Sequence, residues 1–412
     1  MSGCGTIDNY SLRRDLPPEM VAHVLSHLPV KSLCRFKCVS PSWNSLISSP
    51  QFTKTHLRIT TNKPQNNILI SNSKALYSVD LAAANPTAEK AFSFRLFELS
   101  HISVQVSGSC NGLVLVSDLG YGNSIFLLNP STRECKKLPE SPIFDNSSSA
   151  RIKFVPYETE THVFLPGLGY DSFSDDYKVV MLLYHIIEDT ESDFDGDVNS
   201  ITDVTVYSLK TDSWRRIQDC HYKPVQPFQG VLFNECLHWL TSRTGHLDGS
   251  MVIAAFNLSD EIFREVHLPV TFHNSEFEYG DCHMMALGGC LCLVIWPTVG
   301  DKIEVWMMKK YGVQESWIKY TIATHGMFLG NVLYFSSEDE FLLRAYGNCV
   351  KLVAYSLKKE ALRDIVVGGL PTEFIDEGNY IETLVSPNHG RRIRRQCETS
   401  SGECSKSCLN TG

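Results

Sequence analysis

Several clusters in this 412-residue chain carry residue types that do chemistry in other settings. Gly167-Leu168-Gly169 begins like a dinucleotide-binding fingerprint, in which glycines let backbone approach a pyrophosphate at a helix N-terminus. The third glycine of that pattern would stand at 172, where the chain has Ser172, and an apolar strand pattern follows where a helix is required. The two glycines are therefore expected in a tight turn at positive φ. Asp171, Asp175 and Asp176 are expected to bond turn amides or face solvent. The run from Glu188 to Asp203 is rich in carboxylates and puts Gly196 at the sixth position of a calcium loop counted from Glu191. Position twelve is Thr202, where a bidentate glutamate is needed, so a solvated loop is expected, attractive to a basic surface. Cys290 and Cys292 share one face of a strand pattern without the second pair or histidines of a zinc site. Cys282-His283 has no recognisable third group or oxyanion donor. With no G-x-S-x-G, H-E-x-x-H or Walker pattern, the expectation is no catalytic residue, no cofactor and no metal.

Composition sets the frame for that expectation. Hydrophobic residues make up 43% and charged residues 20%, ordinary for a globular protein, and the net charge of −9 argues against broad nucleic-acid binding. The longest apolar run, Val179 to Ile187, is broken by His185 and is far short of the roughly 18 residues of a membrane span. The N-terminus has no apolar export segment, so the 14 cysteines are expected as reduced thiols and the location as cytoplasm and nucleus. The tail, 389–412, carries Arg391, Arg392, Arg394 and Arg395, readable either as an import signal or as a soluble end.

Residues 16–57 read as a small helical module. Met20, Val21, Val24, Leu25 and Leu28 form one stripe of a 3.6-residue helix, with Pro17 and Pro18 in its first turn and Pro29 ending it. Val30, Leu33, Cys34 and Phe36 continue as a second helix. Ser40-Pro41 reads as an N-cap followed by proline at the first helical position, ahead of Trp43, Leu46 and Ile47. Ser49-Pro50 repeats the signal. So short a segment has more apolar surface than it can bury within itself, which fits either a cap packed on the main domain or a docking module.

Beyond it, an aromatic followed by apolar residues and a polar turn recurs at Tyr77, Phe126, Tyr207, Phe256, Trp306 and Tyr355. The spacing is close to 50 residues except between Phe126 and Tyr207, where extra sequence is inserted. Each period holds about four short strands, the signature of a propeller blade of the kelch kind. Six units are expected to close into a ring, with Tyr380–Val385 as a late strand returning to the first blade. The fold class is thus mainly β, a helical module followed by a six-bladed propeller.

LPPEMVAHVLSHLPVKSLCRFKCVSPSW at 16–43 resembles an F-box of the plant style. GLGYDSFSDDYKVV at 167–180, NPSTRECKKLP at 129–139, IEVWMMKKYGVQESWIKYTI at 303–322 and YIETLVSP at 380–387 are similar to hallmarks of plant F-box-associated domains. The resemblance implies a flexible start at 1–11, a three-helix F-box at 12–57, a kelch-like propeller at 65–388 and a disordered tail at 389–412. It also implies a substrate receptor that docks on the Skp adaptor, and through it on cullin and RING subunits, while the ring holds a target protein for ubiquitination. Leu16, Pro17, Leu25, Leu28, Pro29, Leu33, Val39 and Trp43 are the positions it puts at or directly behind the adaptor interface. Target contacts are expected from rim loops at 141–166, 185–203 and 241–250. The arrangement looks closest to members that restrain immune receptors. A propeller hydrolase or lectin, and a scaffold outside any ligase, are the competing readings.

Overall fold

The computed structural model describes residues 16–62, 67–72, 74–94, 105–118, 124–142, 162–187, 199–217, 220–225, 229–243, 250–269, 282–296, 301–336, 339–347, 349–372 and 376–388. The chain opens with α1 (Pro18–Ser26), α2 (Val30–Phe36), α3 (Pro41–Ile47) and α4 (Pro50–Thr61). Ser40 Oγ accepts the Trp43 amide at 3.2 Å and Ser49 Oγ accepts the Phe52 amide at 3.2 Å, so both serine-proline pairs start helices by satisfying a free N–H. α4 carries past residue 57, and His56 Nε2 hydrogen-bonds Leu28 O at 2.9 Å, fastening α4 to the end of α1. No helix among the described residues is long and apolar enough to cross a membrane.

The remaining elements are strands. Blade one holds β1 (Asn67–Ser71), β2 (Ala75–Asp80) and β3 (Ala88–Ser93). Blade two holds β4 (Gln105–Cys110), β5 (Leu113–Asp118), β6 (Ser124–Asn129) and β7 (Glu134–Lys137). Blade three follows as β8 (His162–Asp171), β9 (Asp176–Ile187), β10 (Asn199–Ser208) and β11 (Ser213–Arg216). Blade four contains β12 (Tyr222–Pro224), β13 (Val231–Phe233), β14 (Cys236–Arg243), β15 (Met251–Asn257) and β16 (Phe263–Val266), with β12 and β13 both paired to β14. Blade five is β17 (Cys282–Leu287), β18 (Cys290–Ile295), β19 (Lys302–Met308) and β20 (Trp317–Ala323). Blade six is β21 (Phe328–Phe335), β22 (Glu340–Tyr346), β23 (Lys351–Ser356) and β24 (Ala361–Ile365). The last strand, β25 (Asp376–Asn379), returns to pair antiparallel with β1, Ile68 opposite Asn379 and Ser71 opposite Asp376, and supplies the fourth strand of blade one.

Closure of the ring shows in where the apolar side chains go. Buried residues form separate clusters between blades one and two, two and three, three and four, four and five, five and six, and six and one. Alternate residues of one strand serve opposite neighbours: Leu291 and Leu293 of β18 pack toward blade four, Cys290 and Cys292 toward blade six. A strand buried on both faces loses the polar half of its alternation, which is why CLCLVI at 290–295 reads as a continuous apolar run. Cys292 is fully enclosed there, and burial pushes its thiol up to about 12.

The recurring aromatic has one address, the third strand of every blade counted from the ring's axis once β25 is included in blade one. Its partner on the fourth strand is apolar in three blades, as in Tyr207 opposite Trp214, Phe256 opposite Phe263 and Tyr355 opposite Leu362. A lysine takes that place elsewhere: Lys319 Nζ lies over the Trp306 ring at 5.4 Å and Lys137 Nζ over Phe126 at 6.0 Å. The polar turn between these strands is an Asx turn in blades two and four. Asn129 Oδ1 accepts the amides of Ser131 and Thr132, and Asn257 Oδ1 those of Ser259 and Asp260.

Two expectations are corrected. Gly167 and Gly169 lie inside β8, outside the positive-φ residues. A Cβ on Gly169 would stand 2.3 Å from Leu258 Cδ1 and one on Gly167 3.0 Å from Leu237 Cδ1, so these glycines let blade four close against blade three. The second correction concerns Tyr380–Val385, which is not the closing strand. β25, just before it, closes the ring, and 380–388 runs on without strand pairing.

The turn after β8 is tied into the same junction. Asp171 accepts the Phe173 amide at 3.0 Å, as a turn carboxylate would, but it is buried. Lys178 Nζ meets Asp171 Oδ2 at 2.9 Å, Glu261 Oε1 at 3.0 Å and Leu258 O at 2.6 Å, and Ser259 Oγ donates to Asp171 Oδ1 at 2.6 Å. Burial alone would raise the Asp171 pKa. Ser174, Ser259 and Lys178 override it and hold the carboxyl well below the usual range. Between blades four and five, His238 is enclosed, with Nδ1 3.1 Å from Val231 O and Nε2 2.7 Å from Tyr311 Oη. Burial lowers its pKa to about 4.

Candidate docking surface of the helical module

The helical core consists of Leu25, Val30, Leu33, Ile47, Phe52 and Leu384. Val21, Leu28, Cys34, Phe36, Trp43 and Leu46 pack around it, half-buried, and Phe36 and Trp43 meet edge to face at 5.6 Å. That packing uses one side of α1 only. Met20 and Val24, four apart on α1, are 54% and 57% exposed, and Leu16 and Val39 are 61% and 60% exposed. Among the described residues nothing covers them. Met20 and Val24, one turn apart, make an open apolar patch on α1, the kind of feature that makes this module a candidate docking surface.

The eight residues expected at or behind the interface therefore divide. Leu16, Pro17, Pro29 and Val39 are open or partly open to solvent; Leu28 and Trp43 are half-buried; Leu25 and Leu33 belong to the core and stand behind the surface. Met20 and Val24 join the candidate surface although they are not among those eight residues. Their signal is in the α1 stripe, which is wider than one small core can cover.

The module sits on the side of the ring that carries the turn at 172–175. Lys54 Nζ of α4 meets Asp175 Oδ2 at 2.6 Å, Lys31 Nζ meets Glu89 Oε2 at 3.2 Å, and Leu57 packs against the cluster between blades two and three. β9 leaves that turn at Asp176 and runs for 12 residues, roughly 40 Å, to Ile187 at the far side. His162, which pairs with His185, lies there too, as does Arg243 at the end of β14. The loops expected to contact a target, 141–166, 185–203 and 241–250, leave the described strands from this far side; their central parts, 143–161, 188–198 and 244–249, lie outside the described residues. So does the tail at 389–412.

Chemistry in the ring is sparse among the described residues. They contain no group of three or more His, Cys, Asp and Glu side chains placed to hold a metal ion. Inner strands of non-adjacent blades approach one another, β4 to β13, and Asn379 Nδ2 of β25 reaches Ala286 O of β17 at 3.4 Å. Cys282 and His283, adjacent on β17, point to opposite faces, and His283 packs edge-on to Trp296 at 4.8 Å.

The comparison with known proteins agrees with this architecture. Residues 66–385 match the F-box associated beta propeller domain and residues 14–55 the F-box domain. The chain belongs to the F-box proteins that carry an F-box-associated β-propeller, the family of substrate-recognition subunits of Skp–cullin–F-box ubiquitin ligases. It is similar to F-box protein CPR1 of Arabidopsis thaliana, with 29% identity over 88% of this chain and 87% of that protein. F-box protein At3g07870 of the same plant is 30% identical over 87% of this chain and 89% of its own length. F-box/kelch-repeat protein At3g23880 is 28% identical over 74% and 78%.

Proposed function

We propose that this chain is the non-catalytic target receptor of a Skp–cullin–F-box ubiquitin ligase, with the helical module on the adaptor and a target protein on the far side of the ring. The uncovered apolar residues of α1, of the segment before it and of the α2–α3 turn carry this reading, because a folded chain that leaves Leu16, Met20, Val24 and Val39 open is incomplete without a partner. The receptor works by placement: it raises the effective concentration of target lysines near the charged conjugating enzyme, and needs no acid, base or nucleophile of its own. An immune receptor is the target class to test first, given the resemblance to members that restrain such receptors, and cytoplasm and nucleus are the proposed location.

The test is binding of purified Skp adaptor to the intact chain and to a Met20→Asp, Val24→Asp double variant. Both positions are exposed, so the variant should fold. A carboxylate forced into an apolar contact costs several kcal/mol, and the expected loss of affinity is at least about a hundredfold. No binding by the intact chain overturns the proposal; equal binding by both overturns the location of the interface. Proximity labelling with the intact chain then identifies the target.

A further inference from the structure

Residues 380–388 make contacts that ring closure does not need, since β25 already completes blade one. The Tyr380 ring packs in the cluster between blades one and two, and its hydroxyl meets the amide and Oγ of Ser131 at 2.9 and 2.5 Å. Asn129 Nδ2 donates to the carbonyls of Thr383 and Val385 at 3.0 and 2.6 Å. Thr383 Oγ1 donates to Asn111 O at 2.7 Å, Ser386 bonds Glu134, and Asn388 Nδ2 reaches Cys135 O at 3.4 Å. Val385 enters the cluster between blades two and three, while Leu384 beside it enters the core of the helical module. Gly112 makes the room: its φ is +81°, and a Cβ there would stand 2.3 Å from Thr383 Oγ1 and 2.6 Å from Ile381 O.

Besides the packing of Leu57 of α4 on the cluster between blades two and three, the remaining ties between module and ring are slight. Lys31–Glu89 and Lys54–Asp175 are ion pairs between largely exposed side chains, which contribute little. Linked domains move relative to one another unless a large apolar interface holds them. Residues 380–388 hold the ring through these hydrogen bonds and apolar contacts, and reach the helical core through Leu384.

We propose that residues 380–388 are a positioning strap that fixes the direction of the helical module on the ring. The far side of the ring is thereby held at a set angle to whatever α1 and α2 bind. The importance of that angle for ubiquitin transfer rests on the receptor reading; the strap itself does not.

The test uses the full chain with fluorophores at Gln51 and Lys302, both exposed, introduced through unnatural amino acids so that native thiols are untouched. Single-molecule energy transfer should give one narrow distribution. A Gly112→Ala, Asn129→Ala double variant displaces the strap without touching the helices, and should broaden the distribution at least about twofold with adaptor affinity kept within about threefold. A chain ending at Asn379, which retains β25, should broaden it likewise. A narrow distribution in both variants overturns the proposal. So does a more than tenfold loss of adaptor binding in either, which would make the segment part of the helical fold alone. Loss of the β-sheet circular dichroism signal in both variants would make it part of the ring's fold and overturns the proposal too. Failure of the intact chain to bind adaptor sinks the receptor reading and leaves the distance measurement to decide the strap.

Discussion

The helical module and the ring bury apolar residues by opposite strategies. Six sheets, each apolar on both faces, can be satisfied by arranging them in a circle, because every blade then has two neighbours. The large apolar residues that the described part of the ring still exposes, Phe173, Ile262, Ile318, Phe328, Tyr346 and Val366, are spread over four blades. Four short helices have no such solution. Their shared core takes one side of α1, Met20 and Val24 stay open on the other, and Leu16 before α1 and Val39 after α2 are open too. The ring covers its apolar strands with its own chain; the module leaves part of its apolar surface open.

This contrast can be broken, and the most severe test falls on the ring. Lys178→Ala would leave Asp171 and Glu261 without their shared cation at a junction where Asp171 is 1% exposed. A loss of about 3–5 kcal/mol in urea unfolding is expected. A variant as stable as the intact chain would mean that the blade-three junction does not depend on its ions.

Acid is the next largest perturbation. His238 is held at a pKa of about 4 in the fold, against about 6.5 for a free histidine. Between these values the unfolded chain binds more protons than the native one, so stability falls as pH drops from about 6.5 to about 4, by up to roughly 3 kcal/mol from this group. Asp171, whose folded pKa is lowered, stabilises above the ordinary carboxylate pKa and adds its own loss at lower pH. Denaturation midpoints at pH 7 and pH 5 check the first effect, and His238→Gln should flatten the difference.

A smaller effect separates the module from the ring. Ser40→Ala removes the cap on the Trp43 amide and should cost about 1 kcal/mol. Hydrogen exchange would report this in α3 and leave the blades unchanged. Faster exchange in the blades as well would show that module and ring unfold as one unit. The smallest expected change sharpens the comparison: Phe328→Ser, at a side chain 74% exposed, should alter stability by less than about 0.5 kcal/mol. A large loss there would show that an exposed aromatic of the ring is structural after all.

Local signals in the sequence translated well. Serine-proline pairs start α3 and α4 because capping involves neighbours three residues apart. The fifty-residue echo became the third strand of each blade because strand, turn and strand are local in sequence. The candidate docking residues were legible only as a group. Leu25 and Val24 are adjacent apolar residues of one stripe, yet one is 2% and the other 57% exposed. Which of them faces the core depends on Leu33, Ile47, Phe52 and, from the far end of the chain, Leu384.

The glycines of 167–169 show the same limit from the other direction. A G-x-G ahead of acidic residues reads as a turn on local grounds, and only the approach of Leu258 and Leu237 from blade four explains glycine in the middle of β8. By itself the sequence determined the elements, their period and the family to which they belong, since hydrogen-bonded turns, caps and alternation are set within a few residues. Tertiary structure alone decided which apolar side chains remain open, which strand closes the ring, and that residues 380–388 join both bodies. Those outcomes turn on burial, and burial depends on residues that meet from hundreds of positions apart.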